Sequence, residues 1–99
     1  MAESPRNRYG FGDALSYLWQ GKRVRRVGWN GNGMYIVLMP GYPGGIPANE
    51  PTAEAHGIPV GSMVHVRPYL LMKDAQGMLV PGWLASQTDL LAEDWELAE

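Results

Sequence analysis

An α+β fold is what this 99-residue chain predicts: a small antiparallel sheet of about four to five strands, with one helix before it and one after. Three observations lead there. Phe11, Leu15, Leu18 and Trp19 recur at the spacing of one helix face. Runs rich in Val, Ile, Leu, Met and Tyr then alternate with turns of Gly, Pro, Asn and Asp. Near the C-terminus, Ser86 followed three positions later by Asp89 and an apolar pair is the signature of a capping box.

The elements follow in order. Residues 1–8 are polar, contain Pro5 and lack periodicity, so they predict a flexible N-terminal arm ahead of a single domain over 9–99. The first helix should start at Phe11 and stop at Gly21, with Trp19 on its buried face. Val24 to Val27 suits a strand, the glycine-rich stretch 28–33 a tight bend, and Met34 to Met39 a second strand that Pro40 closes. Gly41 to Gly61 is dense in proline and glycine with few large apolar side chains, and it predicts a long loop, either a binding lid or a surface insertion. Val64 to Lys73 reads as one strand. Asp74-Ala75-Gln76-Gly77 is a good turn, Met78 to Trp83 returns as a hairpin partner, and Ser86 to Glu93 is the second helix, with Trp95 lying past Leu91 on that helix as a packing residue.

Composition excludes several functions. With no cysteine there are no disulfides, zinc fingers or thiol chemistry. His56 and His65 are the two imidazoles, too few and too far apart to predict a metal site. The longest apolar runs fall well short of the ~20 residues of a membrane span. A secretion signal is also missing from the N-terminal residues, so a cytoplasmic protein is expected. A net charge of −2 argues against a DNA or RNA footprint. The charge is uneven, however: Lys22, Arg23, Arg25 and Arg26 cluster early, and Asp89, Glu93, Asp94, Glu96 and Glu99 close the chain. That pattern fits either a local phosphate contact or a strand face paired with the acidic tail of a neighbouring copy. A chain this short makes one modest core, and its four Trp, five Tyr and six Met favour burial between copies, so a homo-oligomer is expected.

Catalysis finds little support. Ser86, His65 and Asp89 include the residue types of a nucleophile, base and orienting acid, but Ser86 sits in no Gly-x-Ser-x-Gly elbow and the capping box already accounts for it and for Asp89. Gly31-Asn32-Gly33 runs into a strand and lacks the third glycine of a dinucleotide turn, and no Gly-Lys-Ser/Thr phosphate loop is present. Binding is better represented. Trp29 lies in a glycine-flanked turn and Trp83 just before a helix start whose free N–H groups attract anions. Each indole is either a ligand platform or packing. Arg67-Pro68-Tyr69 is either a phosphate-and-ring clamp or a cross-strand pair.

These residues resemble the second type of the Thoeris anti-defence family, small phage proteins. Phe11-Gly12-Asp13-Ala14-Leu15 with Gly21-Lys22 looks like the family's opening helix. Arg25-Arg26-Val27-Gly28-Trp29-Asn30-Gly31 with Gly33-Met34-Tyr35 looks like its first turn, and Arg67-Pro68-Tyr69 with Met72-Lys73 its central strand. Trp83 and the run from Ser86 to Trp95 resemble its closing signature, although Gly82-Trp83-Leu84-Ala85 stands where Trp-x-Pro is commoner. The likeness runs from Phe11 to about Leu97.

The resemblance implies a non-catalytic sponge that assembles as a homotetramer. Its ligand would be glycocyclic ADP-ribose, the messenger of a bacterial anti-phage defence, and some members also hold cyclic dinucleotides. No cofactor is implied. Carried over residue by residue, ligand contact falls on Trp29, Asn30, Trp83, Ser86, Gln87, Thr88 and Asp89, then on Met34, Tyr35, Arg67 and Tyr69. Tyr42 and His56, in the variable 41–61 segment, inherit no role. The alternatives are a structural or protein-binding phage module, or an enzyme that degrades the same nucleotides.

Overall fold

A computed structural model describes residues 8–29 and 33–98. The arm predicted over 1–8 thus lies, apart from Arg8, outside the described residues. The first helix, α1 (Phe11–Trp19), leads to strands β1 (Val24–Arg26), β2 (Tyr35–Met39) and β3 (Tyr42–Pro47). Next come helix α2 (Glu50–His56), strands β4 (Met63–Val66), β5 (Tyr69–Lys73) and β6 (Leu79–Pro81), helix α3 (Gln87–Leu91) and strand β7 (Trp95–Leu97). Five strands form one antiparallel sheet in the order β6-β5-β2-β1-β7, while β3 and β4 pair separately. The fold class is α+β as the sequence predicts, but with a third helix and a second small sheet.

Strand alternation sorts the main sheet into two faces. Val24 pairs with Ile36 on one side and Leu97 on the other, and Ile36 pairs with Met72, so these side chains share a face. Helix α1 lies on it. Ala14 and Leu18 of α1 meet Val24, Ile36 and Trp95 in a fully buried cluster, with Tyr9, Phe11, Tyr17, Leu38, Leu70 and Met72 packed around it. Tyr9 closes the β7 edge through reciprocal backbone bonds of 2.7 and 3.0 Å with Trp95.

Trp19 corrects the helical-face expectation. It is 64% exposed, and Leu15 also sits at the surface. The sequence spacing fits two overlapping faces, and the sheet selects the one running through Phe11, Ala14 and Leu18, because a small alanine lets the helix approach the strands closely. Trp95 packs as expected, but as the first residue of β7 instead of an extension of the second helix.

The 41–61 segment is the larger correction: it is not a loop without regular structure. Strands β3 and β4 extend the β2–β5 ladder beyond Pro40-Gly41 and Arg67-Pro68, so the predicted Val64–Lys73 strand is two strands in two sheets. Gly41 is required at the junction. Its φ is +66°, and a Cβ there would lie 2.5 Å from the carbonyl oxygens of Val66 and Arg67. Pro43, Gly44 and Gly45 fit because the register shifts between Tyr42 and Ile46, and a two-stranded edge tolerates residues that cannot donate to a ladder. The Asn49 side chain caps α2 by accepting the Thr52 N–H at 3.0 Å, Pro51 occupies its first turn, and Gly57 ends it at φ +68°. Two ladders end to end give the molecule its 60 × 27 × 24 Å extents.

The β5–β6 turn forms as predicted: the Asp74 carboxylate accepts the N–H groups of Gln76 and Met78 at 3.0 and 2.8 Å. Trp95→Ala is expected to cost about 3–5 kcal/mol of unfolding free energy in urea titrations, whereas Trp19→Ala should stay within about 0.5 kcal/mol.

Candidate functional site

Four aromatic rings meet where α1, the 27–29 turn and the segment before α3 converge. Trp95 forms the buried floor. The Trp29 ring stands 5.4 Å from it at 79°, and the Trp83 ring 6.2 Å from it at 80°. Trp29 and Trp83 are themselves 6.2 Å apart at 68°, and Phe11 lies 5.2 Å from Trp95. Edge-to-face contacts of this kind fix ring orientation. Trp83 is held there by its chain: Gly82, at φ +82°, turns the backbone so that both its N–H and that of Trp83 donate to the Leu70 carbonyl, at 2.8 and 2.9 Å.

A polar network ties the same corner together. Arg26 donates from Nε to Asp94 at 2.8 Å and from Nη1 to Asp89 at 2.9 Å. The second Asp94 oxygen accepts the Gly28 N–H at 2.8 Å. Asp89 accepts the Trp29 indole N–H at 3.4 Å and the Ser86 N–H at 3.1 Å, and its own N–H donates to Ser86 Oγ at 3.0 Å. The Trp95 indole N–H donates to the Asp89 carbonyl at 3.0 Å. Burial by itself raises the Asp89 carboxyl's pKa, but the bonds from Arg26, Ser86 and Trp29 outweigh it and leave the value below the ordinary 3.8. Asp94 behaves alike: burial pushes up, while Arg26 and the Gly28 N–H pull it down further. The guanidinium of Arg26 is raised in return, by its bond to Asp94 first and to Asp89 second.

Beside this network opens a cleft of about 200 Å³, lined among the described residues by Arg25, Arg26, Val27, Trp29, Gly33, Met34 and Glu96. Arg25 Nε donates to Glu96 at 2.9 Å across the β1–β7 ladder. On the same sheet face, the ring of Tyr35 carries the Arg23 guanidinium 5.0 Å from its centroid and the Lys73 ammonium at 5.5 Å.

The predicted binding residues therefore divide. Trp29, Trp83, Ser86 and Asp89 share the corner, Met34 lines the cleft, and Gln87 and Thr88 lie exposed on the first turn of α3. Asn30 falls outside the described residues. Tyr35 faces its cations a short way off. Arg67 and Tyr69 are not brought to the corner. Tyr69 pairs with Met39, four ladder positions (about 13 Å) from the Tyr35–Lys73 pair, and lines a cavity with Tyr42 and Ile46, while Arg67 lines another with Pro43 and His65.

Two further expectations change. The capping box is present, but α3 has only five residues and the box uses the Ser86 and Asp89 N–H groups itself and sets a carboxylate at the helix start. That end is no open anion cradle. The cation cluster does pair with the acidic tail, but with the chain's own: Arg25 with Glu96, and Arg26 with Asp94 and Asp89. Asp94 and Glu96 stand in the sequence only as part of an acidic tail, and neither their place at this corner nor the pinning role of Arg26 is read from it. The available signal was the opposite sign of two blocks, each beside a strand-forming residue.

Neither catalytic nor metal geometry emerges among the described residues. His65 Nδ1 sits 3.0 Å from the Pro43 carbonyl oxygen in the small sheet, with no contact to Ser86 or Asp89. His, Asp and Glu side chains form no group of three able to hold a metal.

A family model described as a Thoeris anti-defense 2-like domain matches residues 9–98. The chain belongs to that family. It is similar to a protein of Bacillus phage SP01 named Thoeris anti-defense 2, at 32% identity over 95 residues that cover 93% of this chain and 97% of the relative. Family membership supports an anti-defence role, and the family's name denotes that role instead of an enzyme class. Among the described residues of this Thoeris anti-defense 2-like chain, no helix is long and apolar enough to cross a membrane.

Lowered carboxylate pKa values mean that Asp89 and Asp94 stabilise the fold fully above their unfolded values, and that this contribution is lost as pH falls through the lower folded ones. Arg26→Ala is expected to cost about 2 kcal/mol near neutral pH, because two partly buried carboxylates lose their partner. Urea midpoints measured from pH 7 down to pH 2 should show that difference shrinking as the carboxylates protonate.

Proposed function

We propose that this Thoeris anti-defense 2-like protein inhibits bacterial anti-phage defence by sequestering glycocyclic ADP-ribose without cleaving it. Cyclic dinucleotides would be a second ligand class. The observation that carries the reading is Trp29, which meets Trp83 and Trp95 on one side and lines an arginine-walled cleft on the other. An indole covers a purine, and a guanidinium meets a pyrophosphate. The polar groups of Gln87 and Thr88, exposed on the first turn of α3, are suited to ribose and base edges.

The cleft of one chain, at about 200 Å³, is below the roughly 300–1,000 Å³ that a drug-sized ligand occupies. A second protomer completing the site accounts for that shortfall and fits a homotetramer. The edge strand β6, with Leu79 and Val80 exposed, supports association between copies. Messenger capture would take place in the cytoplasm of the infected host. A structural phage module is the competing reading, and the same exposed edge is what favours it.

Calorimetry with glycocyclic ADP-ribose is expected to show tight binding by the intact chain and none by Trp29→Ala. Ligand released by denaturing the loaded protein should be chemically unchanged. A cleaved product would point to an enzyme, and an oligomer that takes no nucleotide would point to the structural module.

A further inference from the structure

We propose that Glu96 is a built-in competitor for the cation that receives the ligand's phosphate, and that this cation is Arg25, not Arg26. The proposal rests on the sequestration reading for the identity of the ligand. The two guanidinium groups at the cleft wall face three carboxylates, those of Glu96, Asp89 and Asp94, and the Lys73 ammonium lies beside Gly33 at the same cleft. An anionic ligand gains either guanidinium only by displacing a carboxylate.

The two arginines differ in how firmly they are held. Arg26 is 18% exposed and donates through two nitrogens to two carboxylates, each of which also accepts a backbone N–H. Removing it from those partners would undo the turn that carries Trp29. Arg25 is 41% exposed and, among the described residues, makes one side-chain bond, to a Glu96 side chain that is itself 27% exposed and accepts from no other described residue. Glu96 is long enough to swing away while its backbone stays paired in β7. A pyrophosphate offers the freed guanidinium a bidentate partner of higher charge. The exchange favours ligands with at least one phosphate over uncharged nucleosides, so Glu96 acts on specificity as well as affinity.

Two probes, glycocyclic ADP-ribose and inorganic pyrophosphate, test this on the full-length chain by calorimetry, and the ¹⁵N signal of the Arg25 Nε–H group is followed with pyrophosphate in the proteins that keep Arg25. Glu96→Gln removes the competing charge and is expected to tighten both by roughly 3–5-fold, the scale of an exposed ion pair. Arg25→Gln should weaken both by about 10–100-fold, the scale of charged hydrogen bonds. Unchanged or weaker binding in Glu96→Gln overturns the proposal, as does full affinity in Arg25→Gln. If the messenger binds while pyrophosphate leaves Arg25 unmoved and Glu96→Gln is neutral, this inference fails and the sequestration reading stands. If pyrophosphate binding responds to both substitutions while the messenger is ignored, the messenger assignment fails and the exchange survives.

Discussion

The bifurcated grip of Arg26 on Asp94 and Asp89 is the constraint on which the tryptophan corner depends. It ties together three pieces of chain: the end of β1, the turn through Gly28 and Trp29, and the short α3 with the approach to β7. An exposed ion pair would contribute at most about 1 kcal/mol and hold nothing in place. Here both oxygens of each carboxylate are occupied, and the groups are 14–28% exposed, so the network is satisfied and partly shielded from water. The sheet register creates it. Pairing Arg26 with Trp95 brings Asp94 alongside, where its carbonyl also accepts the Val27 N–H at 2.9 Å.

Much of the main sheet could be read directly from the sequence, because its signals are local. Val24, Ile36 and the Asp74–Gly77 turn announce strands and a hairpin, and the Ser86–Asp89 box marks its helix start with both reciprocal bonds present. The 41–61 segment reads as a loop in sequence because proline and glycine, normally breakers, sit in it at positions where they do no harm: a bulged edge strand and the first turn and end of α2. Its helix was marked by Asn49 and Gly57, but α2 buries only Ala53, too narrow an apolar stripe to register as a period. Trp19 misled for the opposite reason, since a large apolar residue at good spacing still yields to whichever face the sheet accepts.

The site was half legible. The sequence singles out Trp29 by its glycine-flanked turn and Trp83 by its place just before a helix start, but their meeting at 6.2 Å is set by long-range pairing that no local pattern encodes. Arg67 and Tyr69 show the same limit from the other side. A cation beside an aromatic is suggestive in sequence, yet the Arg67-Pro68 break sends the two to different cavities at the root of the β3–β4 extension. The ion pairs Arg25–Glu96 and Arg26–Asp94 span 71 and 68 residues. Charge blocks of opposite sign predicted pairing, and only the β1–β7 register decided that it occurs within one chain.

The aromatic corner also limits how a planar ligand could be held. Trp29, Trp83, Trp95 and Phe11 already pack against one another, edge to face or, for Phe11 and Trp83, tilted at 41°, so no parallel slot exists between them for a base to enter. Of the four, only Trp29 lines the cleft. One chain therefore presents a single indole wall with Arg25 beside it, enough to orient a purine but not to enclose it. Under the sequestration reading, slow release requires a second wall, and the shallow volume of the cleft is consistent with its being supplied by another copy. Affinity and assembly are then linked: ligand held between protomers stabilises the oligomer by the same free energy with which the oligomer retains the ligand.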